Sequence, residues 1–337
     1  MRNLSINQGV SIIRDCSSGS NATTVLCMDE KSTFYRKYAC GEDGEKLFQQ
    51  IEWIRSNRKL LALPEIVRYN KNDELCFYDM AYNNYSIGMF EYSHSMPVNK
   101  AWAVLLDVIE QLEASIYRCE ERKTNPSEIH AYYENKVKRN IELILNCELL
   151  KKLQRYESLE INGEKYKNLS YYVTLFSEKS LQCIFRDDPC SVIHGDLTLE
   201  NIICMRSDSG EDSFYLIDPN TGNIHDSKYL DYAKLLQSLH GEYEFIKSTE
   251  DINVCRDSIH FKYTKSVIYR ELYALYQEYL QDRFDETEIK SIYFHEIVHW
   301  LRLVPYQIKN NRDRAIAVYA RMLILLDELY NKYGDKT

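Results

Sequence analysis

The chain has 337 residues, of which 45% are hydrophobic and 28% charged, and its formal net charge is −9. These values are those of a folded globular protein of one large or two ordinary domains. The negative charge argues against nucleic acid as a partner, because domains that bind nucleic acid are usually basic. Ten cysteines without a Cys-x-x-Cys motif fit a reducing compartment. Residues 1–10 contain no apolar signal segment and no apolar run could span a membrane, so we expect a cytoplasmic protein.

The pattern of the sequence changes from strand-like to helix-like near residues 82–84. Before this point, apolar and polar residues alternate as in strands, at residues 9–14, 23–28, 33–38, 65–69 and 75–80. Helical spacing predicts a single helix there, over residues 42–56. Beyond it the pattern is mainly helical, at residues 101–118, 128–153, 170–183, 230–240, 258–281, 286–302 and 312–333. We therefore predict a sheet lobe over residues 1–82 and a mainly helical lobe over residues 83–337.

The segment Val192–Pro219 is the most informative part of the chain. It contains His194-Gly195-Asp196, then Asn201, and finally Asp218 at the end of an apolar run. One carboxylate of such a set can accept a proton from a hydroxyl, while an amide and a second carboxylate can hold Mg²⁺ on a nucleotide triphosphate. Phosphoryl transfer needs this combination, because its catalysis consists mostly of positioning and charge neutralisation. The alternative is a buried β-hairpin whose Asp and Asn residues serve only its turns.

These motifs resemble the catalytic and metal-binding segments of the aminoglycoside phosphotransferase and choline kinase family, which are small-molecule kinases related to the protein kinases. Gly195 and Pro219 match this branch, since protein kinases carry Arg and Phe there. The resemblance implies an α+β, protein-kinase-like two-lobed fold, in which a small antiparallel β-sheet N-lobe with one helix lies on a larger, mainly helical C-lobe. It further implies that Asp196 is the catalytic base, that Asn201 and Asp218 bind Mg²⁺, and that ATP or GTP is the phosphoryl donor.

Two further residues are expected to support the catalytic loop. The resemblance implies that His194 bonds to nearby backbone and that Asp231, from a following helix, orients the loop. The alternative for Asp231 is a carboxylate at a helix N-terminus, where the helix dipole favours it.

The same resemblance places the phosphates of the nucleotide. The loop with Ser18, Gly19 and Ser20 is predicted to cover them, because small residues let backbone N–H groups approach phosphate oxygens. An ordinary Ser- and Asn-rich hairpin turn is an equal alternative. Lys37, on the third strand, is predicted to face the cleft and steady the α- and β-phosphates while Arg36 faces water. A surface lysine is the alternative for Lys37.

The remaining nucleotide contacts lie on the first helix and on the fifth strand. Glu45 is predicted to hold Lys37, as it lies on the same helix face as Gln49. The nucleotide base is predicted to contact the end of the fifth strand at Met80, Ala81 and Tyr82.

The expected function is transfer of the γ-phosphoryl of ATP or GTP to a hydroxyl of an aminoglycoside, a choline-like amino alcohol or a sugar. Two alternatives stay open. One is a protein of the same fold that binds nucleotide without catalysis. The other is a zinc metallopeptidase, since His295-Glu296-x-x-His299 matches its helical motif. No third ligand follows at the usual distance, and Pro305 is expected to close this helix.

Overall fold

A computed structural model describes residues 5–7, 9–17, 21–207 and 212–334. It consists of an antiparallel sheet with one helix, followed by a larger and mainly helical part. The predicted two-lobed α+β fold is therefore confirmed. The predicted boundary after residue 82 stays a prediction, and it falls in the connection between the fifth and sixth strands.

The sheet lobe follows the predicted order of strands and helix. Its elements are β1 Ser11–Asp15, β2 Thr23–Met28, β3 Thr33–Cys40, α1 Gly41–Asn57, β4 Ile66–Lys71 and β5 Leu75–Ala81. The strands are antiparallel and lie in the order β1-β2-β3-β5-β4. Helix α1 packs on β3 and β5 through Leu47, Ile51 and Ile54, which lie three and four residues apart and so share one helix face.

The larger lobe begins with a strand that pairs with the predicted catalytic segment. Its strands are β6 Ser86–Gly88, β7 Arg122–Lys123, β8 Ser158–Ile161, β9 Glu164–Lys167, β10 Pro189–Cys190, β11 Ile202–Met205, β12 Ser213–Leu216, β13 Asn253–Cys255 and β14 Ser258–His260. Strand β11 pairs with both β12 and β6, so the predicted catalytic segment belongs to a three-stranded sheet.

Most of this lobe is helical. Its α-helices are α2 Met89–Ser95, α3 Val98–Ala114, α4 Pro126–Tyr132, α5 Arg139–Leu145, α6 Leu169–Tyr172, α7 Glu178–Ile184, α8 Tyr229–Leu239, α9 Tyr243–Lys247, α10 Val267–Arg283, α11 Glu286–Asn310 and α12 Arg312–Tyr333. A π-helical turn, Tyr133–Lys138, joins α4 to α5. None of the helices in the described part of the chain combines the length and the apolar composition that a membrane crossing requires.

Several helix predictions need correction. The helix predicted over 258–281 begins only at Val267, after the Ser266 side chain caps it, because Ser258–His260 forms β14 beside β8. The segment 128–153 divides at the π-helical turn, and its helix ends at Leu145. The prediction that Pro305 closes its helix is wrong, since α11 continues to Asn310. Packing against α8 and α12 outweighs the single hydrogen bond that a proline removes.

A buried ion pair links two strands on the outer face of the sheet. Arg36 is 2% exposed and donates two hydrogen bonds, of 2.8 and 2.9 Å, to the Asp79 carboxylate. Its guanidinium also lies over the rings of Phe34 and Phe77. The expectation that Arg36 faces water is therefore wrong, because these groups bury it. Lys37 points to the opposite face of the strand, as the alternation of a strand requires.

Replacing Asp79 by alanine should strongly destabilise the protein. The change leaves the Arg36 guanidinium buried without its counter-ion, which typically costs about 3–5 kcal/mol. Urea denaturation followed by circular dichroism measures the effect. The control is Glu52→Ala, which removes an exposed pair with Arg55 (N···O 3.7 Å) and should cost under about 1 kcal/mol. Similar losses in the two variants would contradict the argument.

Candidate active site

The predicted catalytic loop, residues 194–201, is tied to helix α8 by one carboxylate. Asp231, in the first turn of α8, is fully buried and accepts the backbone N–H groups of His194 (2.8 Å) and Gly195 (2.6 Å). The Tyr117 hydroxyl donates a third hydrogen bond, of 2.9 Å. Burial raises the pKa of Asp231 in spite of these bonds. The carboxylate therefore lies at a helix N-terminus and also fixes the backbone just before Asp196.

His194 and Gly195, the two residues that precede Asp196, give the loop its shape. The His194 ring lies between the Ile217 carbonyl (2.9 Å from Nε2) and the Asp196 backbone N–H, which donates to Nδ1 over 3.3 Å. Gly195 has a φ of +78°, and a Cβ there would lie 2.5 Å from the Asn220 carbonyl oxygen. Only glycine fits this position without strain, which explains why the chain has no arginine here.

Asp196 lies between an amide and an ammonium group. Asn201 Nδ2 donates to the Asp196 main-chain oxygen (2.7 Å) and to Oδ2 (3.1 Å), while Lys234 Nζ lies 3.0 Å from Oδ1. The Asp196 side chain is still 40% exposed, so a substrate can reach it. Burial raises the pKa of Asp196, but the charge and hydrogen bond of Lys234 outweigh it and the net pKa is lowered. Asp196 is therefore ionised at neutral pH and able to accept a proton.

Lys234 is not among the site residues predicted from the sequence. The residue lies three positions after Asp231 in the chain, so both belong to one face of α8. Asp231 points to the loop before Asp196. The spacing of three residues between Asp231 and Lys234 could therefore have identified Lys234 as a neighbour of the same loop.

The two lobes meet at a lysine and a carboxylate. Lys37 is 3% exposed, and its Nζ lies 2.7 Å from Oδ1 of Asp218, whose side chain is 32% exposed. The lysine also donates to Gln50 Oε1 over 3.4 Å, and Gln50 Nε2 donates to the Pro219 carbonyl over 2.9 Å. Gln50 thus orients Lys37 and holds the chain after Asp218, without adding a charge.

The predicted pairing of Glu45 with Lys37 is wrong. Glu45 forms an ion pair with Lys71 on β4, with 2.6 Å between Nζ and Oε2. Helix α1 turns about 100° per residue, so Glu45 and Gln50 point about 140° apart around its axis. Gln50 faces the cleft and Glu45 faces the edge of the sheet.

A cleft of about 400 Å³ lies between the lobes. Met80 and Ala81 line it from the sheet, and Asn201 and Asp218 line it from the larger lobe. Apolar and aromatic side chains form much of its wall, at Tyr35, Ile87, Ile203, Tyr215 and Ile217. The structure thus brings four of the predicted site residues to one cavity whose size and lining suit a small ligand.

The end of β5 is only partly available to a ligand. The Ala81 N–H already donates to the Glu65 carbonyl over 3.2 Å. Tyr82 packs its ring against Tyr35, with 5.6 Å between the ring centroids, and Tyr35 lines the cleft. Of the three predicted residues, Met80 and Ala81 therefore form the wall and Tyr82 supports it.

The predicted phosphate-covering residues Ser18, Gly19 and Ser20 lie outside the described residues. The structure does describe the residues that precede and follow them. The Thr24 N–H donates to Ser17 Oγ over 3.1 Å, and the Cys16 N–H donates to the Thr24 carbonyl over 2.8 Å. These contacts join the chain after β1 to β2 next to the cleft, which Cys16 and Thr24 also line.

The three polar side chains of the metallopeptidase-like motif have different partners. His295 Nε2 lies 2.8 Å from Asp188 Oδ2, and Glu296 lies 2.9 Å from His240 Nδ1. His299 Nε2 lies 3.2 Å from a main-chain carbonyl of α8. All three belong to the buried core. The motif therefore contributes hydrogen bonds between packed helices and does not form the zinc site of a peptidase.

No protein-family model and no curated protein sequence matches this chain. Solved structures do match it. A thermostable mutant of the aminoglycoside phosphotransferase APH(4)-Ia aligns with a TM-score of 0.58 and 11% identity, over 97% of this chain and 96% of that one. Its ternary complex with AMP-PNP and hygromycin B gives a TM-score of 0.57 and 9% identity, over 97% and 96%.

Another matching solved structure is that of a Haemophilus somnus 129PT protein provisionally named fructosamine-3-kinase. It aligns with a TM-score of 0.54 and 12% identity, over 94% of this chain and 92% of that one. The chain has the fold of the small-molecule kinases. The resemblance to the aminoglycoside phosphotransferase and choline kinase family is thereby confirmed at the level of the fold, and identities this low show no more than the fold.

Replacing Gly195 by alanine should disorder the predicted catalytic loop. A side chain at this positive φ costs about 1–2 kcal/mol, and the contact with the Asn220 carbonyl adds to that cost. We expect a lower melting temperature in calorimetry. Gly222→Ala is the matched control, because its added Cβ meets nothing nearer than 3.8 Å. An unchanged melting temperature for Gly195→Ala would contradict this account of the loop.

Proposed function

We propose that the protein transfers the γ-phosphoryl of ATP or GTP to a hydroxyl of a small molecule. One observation carries the proposal. Asn201 and Asp218 line one cavity, Asn201 bonds to Asp196, and Lys37 reaches from the sheet lobe to Asp218, so the four residues proposed as base, cation ligands and phosphate contact are joined by direct contacts beside that cavity. Phosphoryl transfer requires this set of groups. The proposed acceptor is an aminoglycoside, a choline-like amino alcohol or a sugar.

Asp196 is proposed as the base of the reaction. Its carboxylate is ionised, partly exposed and held in place by Asn201 and Lys234. As the acceptor oxygen forms its bond to the γ-phosphorus, the bond from that phosphorus to the β-phosphate oxygen breaks and ADP or GDP leaves. The hydroxyl proton passes to the Asp196 carboxylate.

The other side of the cleft is proposed to hold the nucleotide. Asn201 and Asp218 would hold Mg²⁺, which prefers oxygen ligands such as these and neutralises phosphate charge when bound. Because Asn201 donates through Nδ2, its Oδ1 is the atom available to a cation. Lys37 would contact the α- and β-phosphates, the loop with Ser18, Gly19 and Ser20 would cover them, and the base would lie against Met80, Ala81 and Tyr82.

We also propose that the protein acts in the cytoplasm. All ten cysteines are free thiols, which a reducing compartment maintains. Nucleotide triphosphates, the proposed phosphoryl donors, belong to the same compartment.

The Asp196→Ala variant tests the reaction. Nucleotide binding should change less than about threefold, while acceptor-dependent ADP formation should fall by a factor of about 10² or more, since a general base typically contributes 10²–10⁴. Calorimetric titration with a non-hydrolysable ATP analogue and a coupled ADP assay give the two quantities. The control is Asp187→Ala, which removes an exposed aspartate that pairs with Arg186. Wild-type turnover in Asp196→Ala would exclude the proposed base, and a wild-type protein that binds nucleotide but never turns over would favour the non-catalytic alternative.

The Asp218→Ala variant tests the metal site. Its affinity for the Mg²⁺ complex of the nucleotide should fall about tenfold or more, because a charged ligand is lost. Titrations are run with Mg²⁺ and with EDTA. The difference between variant and wild type should nearly vanish in EDTA, where only the loss of the partner of Lys37 remains. An equal difference in both media would show that Asp218 acts through Lys37 alone.

A further inference from the structure

A lysine of the larger lobe contacts the proposed base. Lys234 Nζ lies 3.0 Å from Oδ1 of Asp196, and the lysine side chain is only 14% exposed. Lys234 Nζ also donates to Oε1 of Gln237, which lies three residues further along α8, over 2.9 Å. The same helix carries Asp231, which accepts the backbone N–H groups before Asp196. The ammonium group of Lys234 is therefore fixed relative to the proposed base.

The surroundings of Lys234 match those of Lys37. Lys37 Nζ lies 2.7 Å from Oδ1 of Asp218, and it donates a second bond to the amide oxygen of Gln50. In both cases an aspartate compensates the charge of the lysine, and an uncharged glutamine adds a hydrogen bond. One of these lysines belongs to the sheet lobe and the other to the helical lobe. The two aspartates are those proposed as metal ligand and as base.

A cation beside a general base has a cost. Burial raises the pKa of Asp196, while Lys234 is the largest of the charges that lower it, and the net pKa lies below its ordinary value. A carboxylate with a lower pKa is a weaker proton acceptor. Water and the Asn201 amide also favour the ionised carboxylate, since the Asp196 side chain is 40% exposed and Asn201 Nδ2 donates to Oδ2. A benefit that exceeds the cost arises when the proton is transferred.

The charge of Asp196 changes during the proposed reaction. When the acceptor hydroxyl gives its proton to the carboxylate, Asp196 becomes neutral and Lys234 loses its counter-ion. At the same stage the negatively charged phosphoryl group moves towards the acceptor oxygen, which lies at Asp196. The ammonium group then attracts the phosphoryl oxygens without competition from the carboxylate. An interaction that is stronger in the transition state than in the ground state lowers the barrier.

We propose that Lys234 is a second catalytic lysine, whose ammonium group contacts the oxygens of the phosphoryl group as it passes to the acceptor. This inference rests on the proposed kinase function. In this step the acceptor oxygen bonds to the γ-phosphorus, the bond from that phosphorus to the β-phosphate oxygen breaks, and the hydroxyl proton passes to Asp196. Lys234 keeps its own protons and contributes only its charge. Lys37 would serve the nucleotide from the sheet lobe, and Lys234 the transferred group from the helical lobe.

Substitutions of Lys234 test the contact. ADP or GDP formation by the full chain is measured with the Mg²⁺ complexes of ATP and GTP, and with glucose, choline, kanamycin and water as acceptors. Lys234→Met should lower kcat by a factor of about 10²–10³, as loss of one transition-state contact typically does. Its affinity for the nucleotide should change less than about threefold, because the ground state does not use the contact. A wild-type kcat in Lys234→Met would overturn the proposal.

Two further variants calibrate this result. Lys234→Arg keeps the charge and should retain about a tenth or more of the wild-type kcat, although its guanidinium has a different shape. The matched control is Lys151→Met, which removes an exposed lysine that pairs with Glu148 over 2.7 Å and should leave kcat unchanged. Equal losses in Lys234→Arg and Lys234→Met would contradict a role that depends on charge.

The pH dependence of kcat separates the contact from an effect on Asp196 alone. Removing Lys234 raises the pKa of Asp196, so the acid limb of the profile should move to higher pH in Lys234→Met. Above that limb Asp196 is ionised in both proteins, and the proposed contact predicts a kcat that is still about 10²-fold lower. Recovery of the wild-type kcat there would show that Lys234 only adjusts the base, and would overturn the proposal. Both proteins share the other titratable groups whose charges act on these two residues, among them His194, Tyr243 of α9, and His299 and Arg302 of α11.

A transition-state mimic separates this inference from the kinase function. Mg²⁺-ADP is titrated into the wild type and into Lys234→Met, with and without aluminium fluoride, which resembles a phosphoryl group in transfer. Aluminium fluoride should tighten ADP binding by the wild type, and Lys234→Met should lose at least about tenfold of that gain. An equal gain in both proteins would reject the lysine contact and leave the kinase function in place. A wild type that gains nothing from aluminium fluoride and forms no ADP or GDP would reject the kinase function, and with it this inference.

Discussion

The geometry of the whole site depends on one buried carboxylate. Asp231 accepts two consecutive backbone N–H groups, from His194 and Gly195, and this fixes the direction of the chain as it enters Asp196. Burial makes the carboxylate costly, and it is tolerated because three donors satisfy it. Since Asp231 belongs to α8, the helix that also carries Lys234, one rigid element sets both the position of Asp196 and its electrostatic environment.

A second constraint positions the sheet lobe over this loop. Lys37 of β3 pairs with Asp218 after β12, and Gln50 of α1 bonds to both the lysine and the chain after Asp218. Gln50 supplies no charge, so Asp218 is the carboxylate that pairs with Lys37. A glutamate at the position of Gln50 would add a second carboxylate partner. A single anionic partner leaves more of the charge of Lys37 available to the phosphates of the proposed nucleotide.

The sequence predicted those features that depend on local pattern. Alternation and helical spacing gave the five strands, α1 and their order, and they placed Arg36 and Lys37 on opposite faces. Pattern alone could not identify partners that are distant in the chain. The Arg36–Asp79 pair joins residues 43 positions apart, and only its formation turns a predicted surface arginine into a buried one. Whether Glu45 or Gln50 contacts Lys37 likewise depends on how α1 is rotated about its axis on the sheet. The two residues are five positions apart, so only one of them can face the cleft. The strand β14 was missed because its pairing with β8 links segments about a hundred residues apart.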